Sequence, residues 1–343
     1  MRILITVDPL IPVPPKEYGG IERIVDWLSR SLTANGHTVG LVAHFQSECE
    51  IPIKYRWGIF HTRLIPDGII CLRELRKFVS DFKPDVVHSF SRIFYLLGLL
   101  SNSSCPLLMS YQRHPSLKSV KLANVVFGNR LKFIGCSSYI TELGKKGGGL
   151  WFCVHNGVEL SKYQYTAEVA SDAPIVFLSR IEPIKGTHLA IQIAKQSGRK
   201  LIIAGNFPSK GKSSRYWYDV IKPKVDGKYI EYVGPVNDIE KNKLLSQACA
   251  LLVPVQWDEP FGIVFVEALA CGTPVISCPK GALPEIVTNG KNGYLIQNVE
   301  QGVWAVNNID KISREYCRKL AEQNFSSDVL VKKYEKIYND VCQ

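Results

Sequence analysis

A chain of 343 residues, 46% hydrophobic and 21% charged, is globular in composition and long enough for two α/β domains rather than one. Its ten cysteines show neither a Cys-x-x-Cys pair nor a Cys/His ligand spacing, so they read as reduced, mostly buried thiols in a cytoplasm, and no apolar run approaches the roughly 20 residues that span a bilayer. The formal net charge of +11 falls mostly in the first half, but no basic stripe with interleaved aromatics accompanies it, which leaves nucleic-acid binding without a motif.

Ile3 to Val7 reads as the first strand, stopped by Asp8 and too short to be a secretory leader. A proline-rich loop, Pro9 to Pro15, leads to Tyr18-Gly19-Gly20-Ile21-Glu22-Arg23, which opens a helix running to about Asn35. Gly36-His37 ends that helix, and Val39 to Ala43 form the second strand. Glycines just ahead of a helix let backbone N–H groups approach a phosphate or a sugar hydroxyl, and they also serve as plain tight turns. The loop lacks Gly-x-Gly-x-x-Gly, so a dinucleotide oxidoreductase is unsupported. Helices follow near Leu72 to Phe82 and Phe94 to Ser101, with strands at Val86-Val87 and Pro106 to Ser110. His88 closes the first of these strands, where a lone imidazole is more often packed or capping than catalytic. Arg73 to Phe78 and Leu117 to Leu122 mix basic and apolar residues, a composition shared by solvated helix faces and by helices laid against acidic lipid or an acidic acceptor. Gly147-Gly148-Gly149 reads as a flexible loop and Asn156-Gly157 as a tight turn.

A new α/β pattern begins at Ile175, with a strand to Arg180, a loop from Ile181 to Gly186 and a helix over Thr187 to Gln196. Arg180 and Lys185 stand five positions apart with a helix N-terminus directly behind them. That combination suits a diphosphate: a planar guanidinium fork, a point-charge ammonium, and unpaired N–H groups at the positive end of a helix dipole. Strands follow at Leu201 to Gly205, Ile230 to Val236 and Ala250 to Val255. Trp257-Asp258-Glu259-Pro260-Phe261-Gly262 then leads into a helix over Ile263 to Ala270, entered at Pro260, where a missing N–H costs nothing. Glu259 falls just ahead of the first turn, where unpaired N–H groups favour an anion. Glu267 lies about two turns further on and points back to the same crevice if the helix starts near Phe261. Gly272 ends the helix, Thr273-Pro274 turns into the strand Val275-Ile276, and Ser326 to Asp340 has helical spacing. Cys342-Gln343 does not fit a prenylation box.

Glu259 and Glu267, set in the frames Glu-Pro-Phe-Gly and Glu-Ala-x-Ala-x-Gly-x-Pro-Val, resemble the signature of retaining glycosyltransferases of the family 4 type. Arg180, Pro183, Lys185 and Gly186 match that family's Arg-x-x-Pro-x-Lys-Gly frame, and the likeness extends over essentially the whole chain. The resemblance implies an α/β fold of two Rossmann-like, doubly wound domains facing a central cleft (GT-B). An amino-terminal acceptor-binding domain would cover 1–160, rejoined by a last helix at 326–343, and a nucleotide-sugar-binding domain would cover 161–325. It further implies Glu259 beside the donor sugar, Arg180 and Lys185 on the leaving diphosphate, Glu267 on the ribose hydroxyls and Val233 toward the nucleobase. Other donor contacts would come from Gly19, Gly20, Gly205, Phe261, Gly262, Ile263 and Val264. On the acceptor side stand His88, Gln112 and His114. Gln112 occupies the position where many family members carry a histidine, so His114 joins the catalytic set only if a shifted loop lets it substitute.

The expected activity is retaining transfer of a sugar, a hexose by family habit, from a nucleoside-diphosphate sugar to an acceptor hydroxyl on a glycan, a lipid-linked glycan or a small molecule. No Asp-x-Asp pair occurs, so neither a metal nor another cofactor is expected. The basic first half adds the expectation of peripheral contact with an anionic membrane. Two alternatives keep the nucleotide site: a sugar-nucleotide epimerase of the same fold, and a non-catalytic sugar-nucleotide-binding protein.

Overall fold

The computed structural model describes residues 1–15, 19–58, 65–100, 105–207 and 211–343; Tyr18 of the glycine-rich loop and Ser101, the expected end of a helix, lie outside them. The chain divides into two compact units, Met1–Gly157 with Ser327–Gln343, and Val158–Ser326.

The first unit holds the strands β1 (Arg2–Thr6), β2 (Thr38–Ala43), β3 (Ile53–Arg56), β4 (Val86–Ser89), β5 (Leu107–Tyr111), β6 (Leu131–Gly135) and β7 (Trp151–Cys153). They form one parallel sheet in the order β3-β2-β1-β4-β5-β6-β7. Its helices are α1 (Gly20–Ala34), α2 (Ile65–Phe82), α3 (Leu117–Phe127), α4 (Ser138–Lys145) and the carboxyl-terminal helix Ser327–Cys342. Crossover helices cover both faces of a parallel sheet, which is why β1 and β4 are buried along nearly their whole length, the polar His88 and Ser89 included. In α1 the buried Ile24, Leu28 and Leu32 recur every fourth residue and form the stripe that packs inward.

Four expectations change here. The strand β3 lay unread because Lys54 and Arg56 interrupt it, a charged composition suited to an edge. Ile134 to Ser138, which resembles the last amino-domain strand of the family 4 type, does not hold this unit's last strand, because the short β7 pairs beyond β6. The segment after Arg92 is a 3-10 helix over Ile93–Leu99, not an α-helix. Gly147-Gly148-Gly149 is a fixed turn: Gly148 and Gly149 have φ of 86° and 84°, and a Cβ on Gly149 would sit 2.6 Å from the Phe133 ring. The Trp151 indole N–H closes the turn by donating to the Gly148 carbonyl at 2.9 Å.

The second unit holds β8 (Ile175–Leu178), β9 (Leu201–Ala204), β10 (Ile230–Gly234), β11 (Ala250–Val253), β12 (Val275–Ser277) and β13 (Gly293–Leu295). These are also parallel, in the order β10-β9-β8-β11-β12-β13. Its helices are α5 (Thr187–Ser197), α6 (Lys212–Arg215), α7 (Asp238–Gln247), α8 (Ile263–Ala270), α9 (Leu283–Ile286), α10 (Val299–Asn307) and α11 (Arg314–Phe325). The strand order reverses between β8 and β11, and at such a point the loops leaving the carboxyl ends of the two strands part and open a crevice.

At the amino ends of β11 and β12, the buried Arg314 guanidinium donates to the carbonyls of Thr166, Ala248, Ser246 and Cys271 and to the Thr273 hydroxyl, over 2.7 to 3.4 Å. It ties the first residue of α11 to the chain ends around β11 and β12. Among the described residues no helix is long and apolar enough to cross a membrane. None of the ten cysteines forms a disulfide, and Cys153 and Cys342 are the exposed ones.

Candidate functional site

The loops leaving β8 and β11 carry the two cations and the first glutamate of the sequence motif. Gly186, with φ of 76°, comes so close to the next loop that a Cβ there would lie 2.1 Å from the Pro254 carbonyl oxygen, which glycine alone tolerates. The Gln256 N–H then donates to the Ile184 carbonyl at 2.7 Å and joins the two loops. A third loop joins them after β12, where Ala282 N–H donates to the Glu259 carbonyl at 2.8 Å. Lys185 and Glu259 therefore meet, although 74 residues separate them in sequence.

Their contact is an ion pair. Lys185 Nζ lies 2.5 Å from Glu259 Oε2, and both residues are only 8% exposed. The Trp257 indole N–H donates to the same oxygen at 2.8 Å, and Lys185 Nζ sits 4.9 Å from the centre of the indole ring. Glu259 is thus held by a lysine and an indole, not by the unpaired N–H groups of a helix as expected. Arg180 is different: its side chain is 40% exposed and pairs with Glu182 at 2.9 Å.

Glu267 sits within α8 and is buried. Its Oε1 accepts from Lys241 Nζ at 2.6 Å and from the Tyr163 hydroxyl at 2.7 Å, with Lys241 Nζ 5.7 Å from the centre of the Tyr163 ring. Each motif glutamate is therefore anchored through one oxygen by a lysine and an aromatic donor. The other oxygen, Oε1 of Glu259 and Oε2 of Glu267, receives no bond among the described residues. Carboxylate oxygens placed this way at the carboxyl end of a parallel sheet can accept hydrogen bonds from a polyhydroxylated ligand.

Two helix starts differ from expectation. The helix α8 begins at Ile263 with Gly262 as its N-cap, so Pro260 stands in the turn ahead of it. Behind Gly186 the first N–H groups of α5 already have acceptors. Those of Leu189 and Ala190 donate to the Gly186 carbonyl, and that of His188 to the Tyr216 hydroxyl at 3.1 Å. Positive charge at this loop therefore comes from Lys185 and Arg180 more than from free N–H groups.

Phe261 is 1% exposed and packs edge-on against Phe325, with ring centres 6.0 Å apart, so its side chain belongs to the core. Gly262, Ile263 and Val264 are half-buried around the start of α8. Gly205 follows β9, with its N–H donating to Gly234 and its carbonyl accepting from the Tyr232 hydroxyl. Val233, 40% exposed, lies next to the end of β10.

In the first unit, Gly19 caps α1 against Pro15 and the buried Glu22, and Gly20 is its first residue. Burial raises the Glu22 pKa above the usual carboxylate range. Of the acceptor-side candidates, His88 is a packed residue and not an exposed imidazole. It has 0% exposure, its Nδ1 is 2.7 Å from the Tyr338 hydroxyl and its Nε2 2.7 Å from the Ser110 hydroxyl. Burial pushes its pKa down to about 3. Gln112 accepts from the Asn156 amide at 2.6 Å. His114 is exposed, edge-on to Tyr139 with ring centres 5.8 Å apart.

Sequence reasoning missed Trp257 as a partner of Glu259, Tyr163 and Lys241 as partners of Glu267, and Tyr216 at α5. The one usable signal was Trp257 standing two residues before Glu259.

Among known families, the description Glycosyl transferases group 1 matches residues 166–326 and Glycosyltransferase Family 4 matches residues 18–146. D-inositol 3-phosphate glycosyltransferases of Mycobacterium tuberculosis and Mycobacterium bovis are 31% identical over 163 residues, covering 44% of this chain and 34% of the relative. The match thus spans about a third of the length of these relatives. Among solved structures, a glycosyltransferase from Rickettsia africae superposes with a TM-score of 0.81 at 17% identity, over 100% of this chain and 98% of that one. Sucrose-phosphate synthase from Thermosynechococcus elongatus gives 0.80 at 18%, over 99% and 98%. Anabaena HepE in complex with UDP-glucose gives 0.77 at 18%, over 99% and 100%. At these identities the likeness establishes the two Rossmann-like α/β units of the GT-B fold.

Proposed function

The chain belongs to the group 1, family 4 glycosyltransferases, and from that premise we propose that it moves a sugar from a nucleoside-diphosphate sugar to an acceptor hydroxyl. The observation that carries this is the meeting of Lys185, Glu259 and Trp257 where the strand order of the second unit reverses, with Arg180 on the same loop. As the glycosidic bond breaks, negative charge gathers on the diphosphate. Lys185 and Arg180 stabilise it, so no metal is required, and Glu259 stands at the sugar end. Retention of anomeric configuration follows family habit. The second unit takes the donor and the first unit the acceptor, whether a glycan, a lipid-linked glycan or a small molecule. Ten thiols outside any disulfide suit a reducing, cytoplasmic compartment.

A thermal-shift panel of UDP, GDP and ADP sugars, followed by product analysis with the best binder, tests the reading. UDP-glucose is the natural first probe because a structural neighbour was solved with it. Transfer to an acceptor is the expected result. Conversion of the donor to an epimer would replace the reading with an epimerase, and binding without turnover would replace it with a binding protein.

Glu267→Ala is expected to weaken nucleoside-diphosphate binding by about 1.5 to 3 kcal/mol, the scale of hydrogen bonds to a charged group. Lys241 keeps Asp238 at 3.2 Å, so the substitution does not strand a cation. Isothermal titration giving wild-type affinity would remove Glu267 from the nucleotide site.

Peripheral membrane contact belongs to the same reading. Lys118, Lys121, Leu122 and Val125 share one face of α3, where Leu122 and Val125 are 64% and 76% exposed, and no Asp or Glu occurs between Asp85 and Glu142. Basic and apolar groups on one face suit anionic lipid. Cosedimentation with phosphatidylglycerol vesicles, fading as salt rises and reduced by Leu122→Asp, is expected; equal binding to phosphatidylcholine vesicles would count against it.

A further inference from the structure

We propose that Trp257 is the positioning residue for Glu259, its indole N–H holding the carboxylate in place while Lys185 exchanges that carboxylate for the donor's diphosphate. The inference rests on the assignment of Lys185 to a diphosphate made above. Lys185 Nζ and Trp257 Nε1 converge on one oxygen, Glu259 Oε2, at 2.5 and 2.8 Å. At 8% exposure for both Lys185 and Glu259, such a pair stands only while each charge keeps a partner. An arriving diphosphate carries more negative charge than one carboxylate and draws the ammonium toward itself. Glu259 would then be a buried anion without its cation, and the indole N–H is the donor that remains, in a charge-assisted hydrogen bond.

The indole also lies within cation–π range of Lys185, at 4.9 Å, so the ammonium can shift while keeping a favourable surface beside it. Glu259 Oε1 receives no bond among the described residues and stays open to a sugar hydroxyl throughout. The same arrangement recurs at Glu267, where the Tyr163 hydroxyl and Lys241 share Oε1. Two motif glutamates held in the same way mark a device for keeping a carboxylate aimed.

The test begins with wild-type protein, by choosing the tightest binder among UDP-, GDP- and ADP-glucose. If none binds, the sugar-nucleotide reading falls and this inference with it. With a binder in hand, Trp257→Phe keeps a ring beside Lys185 and removes the N–H. Its kcat for release of the nucleoside diphosphate is expected to drop about tenfold to a hundredfold, the scale of one hydrogen bond to a charged group, with affinity for the bare nucleoside diphosphate unchanged. Trp257→His restores a ring N–H on a smaller, more polar ring and is expected to recover part of the loss. A packing role predicts the opposite order, because Phe matches Trp better in size and polarity. His above Phe in kcat supports the proposal. Phe at the wild-type rate, or Phe above His, overturns it, and comparing rates per folded molecule keeps that order decisive even if both variants melt earlier.

Discussion

Replacing Arg180 with Ala is expected to lower sugar-nucleotide turnover by about a hundredfold to a thousandfold, the scale seen when a preorganised charge stabiliser is removed, and to leave the melting temperature unchanged. Both halves of this expectation come from its surroundings. The side chain is 40% exposed and its ion-pair partner among the described residues is Glu182, and an exposed pair of this kind contributes about 0 to 1 kcal/mol to stability. A charge so lightly used by the fold is available to a ligand. Arg180→Lys should rescue in part, since an ammonium cannot reproduce the two-pronged contact of a guanidinium with phosphate oxygens. Lys185→Ala should cost turnover on the same scale and also lower the melting temperature, because it leaves Glu259 buried without its cation. Normal turnover in Arg180→Ala, measured as nucleoside-diphosphate release by protein with wild-type melting, would separate this loop from the diphosphate.

Arg314→Met should act on the fold alone. The substitution roughly preserves volume but takes the guanidinium from the carbonyls of Thr166, Ala248 and Ser246, while the Cys271 carbonyl keeps the Thr166 N–H and the Thr273 hydroxyl keeps the Leu245 carbonyl. Unsatisfied buried acceptors cost about 1 to 3 kcal/mol each, and since losses at one site do not add fully, a total of about 3 to 5 kcal/mol is expected. For a unit of this size that lowers the melting temperature by about 10 °C. Arg314→Lys should recover little, because one ammonium cannot span acceptors fanned across a guanidinium plane. Calorimetry showing a wild-type transition in Arg314→Met would mean that water or rearrangement satisfies those carbonyls.

The contrast between these two arginines shows what the sequence could and could not tell. Arg180, Lys185, Glu259 and Glu267 were legible because each stands in a short frame of glycine and proline whose backbone geometry is local. Arg314 carried no such frame, and its acceptors lie 41 to 148 residues away. The same distance hid Tyr163 and Lys241, 104 and 26 residues from Glu267. Trp257 was within the motif, but nothing local shows that its N–H meets the oxygen that Lys185 also holds. The parallel sheets were legible as apolar runs broken at regular intervals. The edge strands β3 and β7 were not, since an edge needs only one partner and tolerates charge. Pro260 misled because proline suits both the first turn of a helix and the loop before it.

The second unit begins and ends side by side: Val158 pairs with Ser326, and its N–H donates to the Phe325 carbonyl at 2.9 Å. The first unit is consequently interrupted in sequence, and its last helix, which supplies Tyr338 to the buried His88, is synthesised after the whole of the second. On the ribosome, the sheet of the first unit must wait for that helix with His88 unpartnered on one side, while residues 158–326 can close on themselves as soon as they emerge. Fragments ending near residue 157 would therefore lack the helix that covers His88. Residues 158–326, whose two ends already meet, form a cassette that can be excised, expressed alone or exchanged for the corresponding unit of a relative without stretching the chain at either junction.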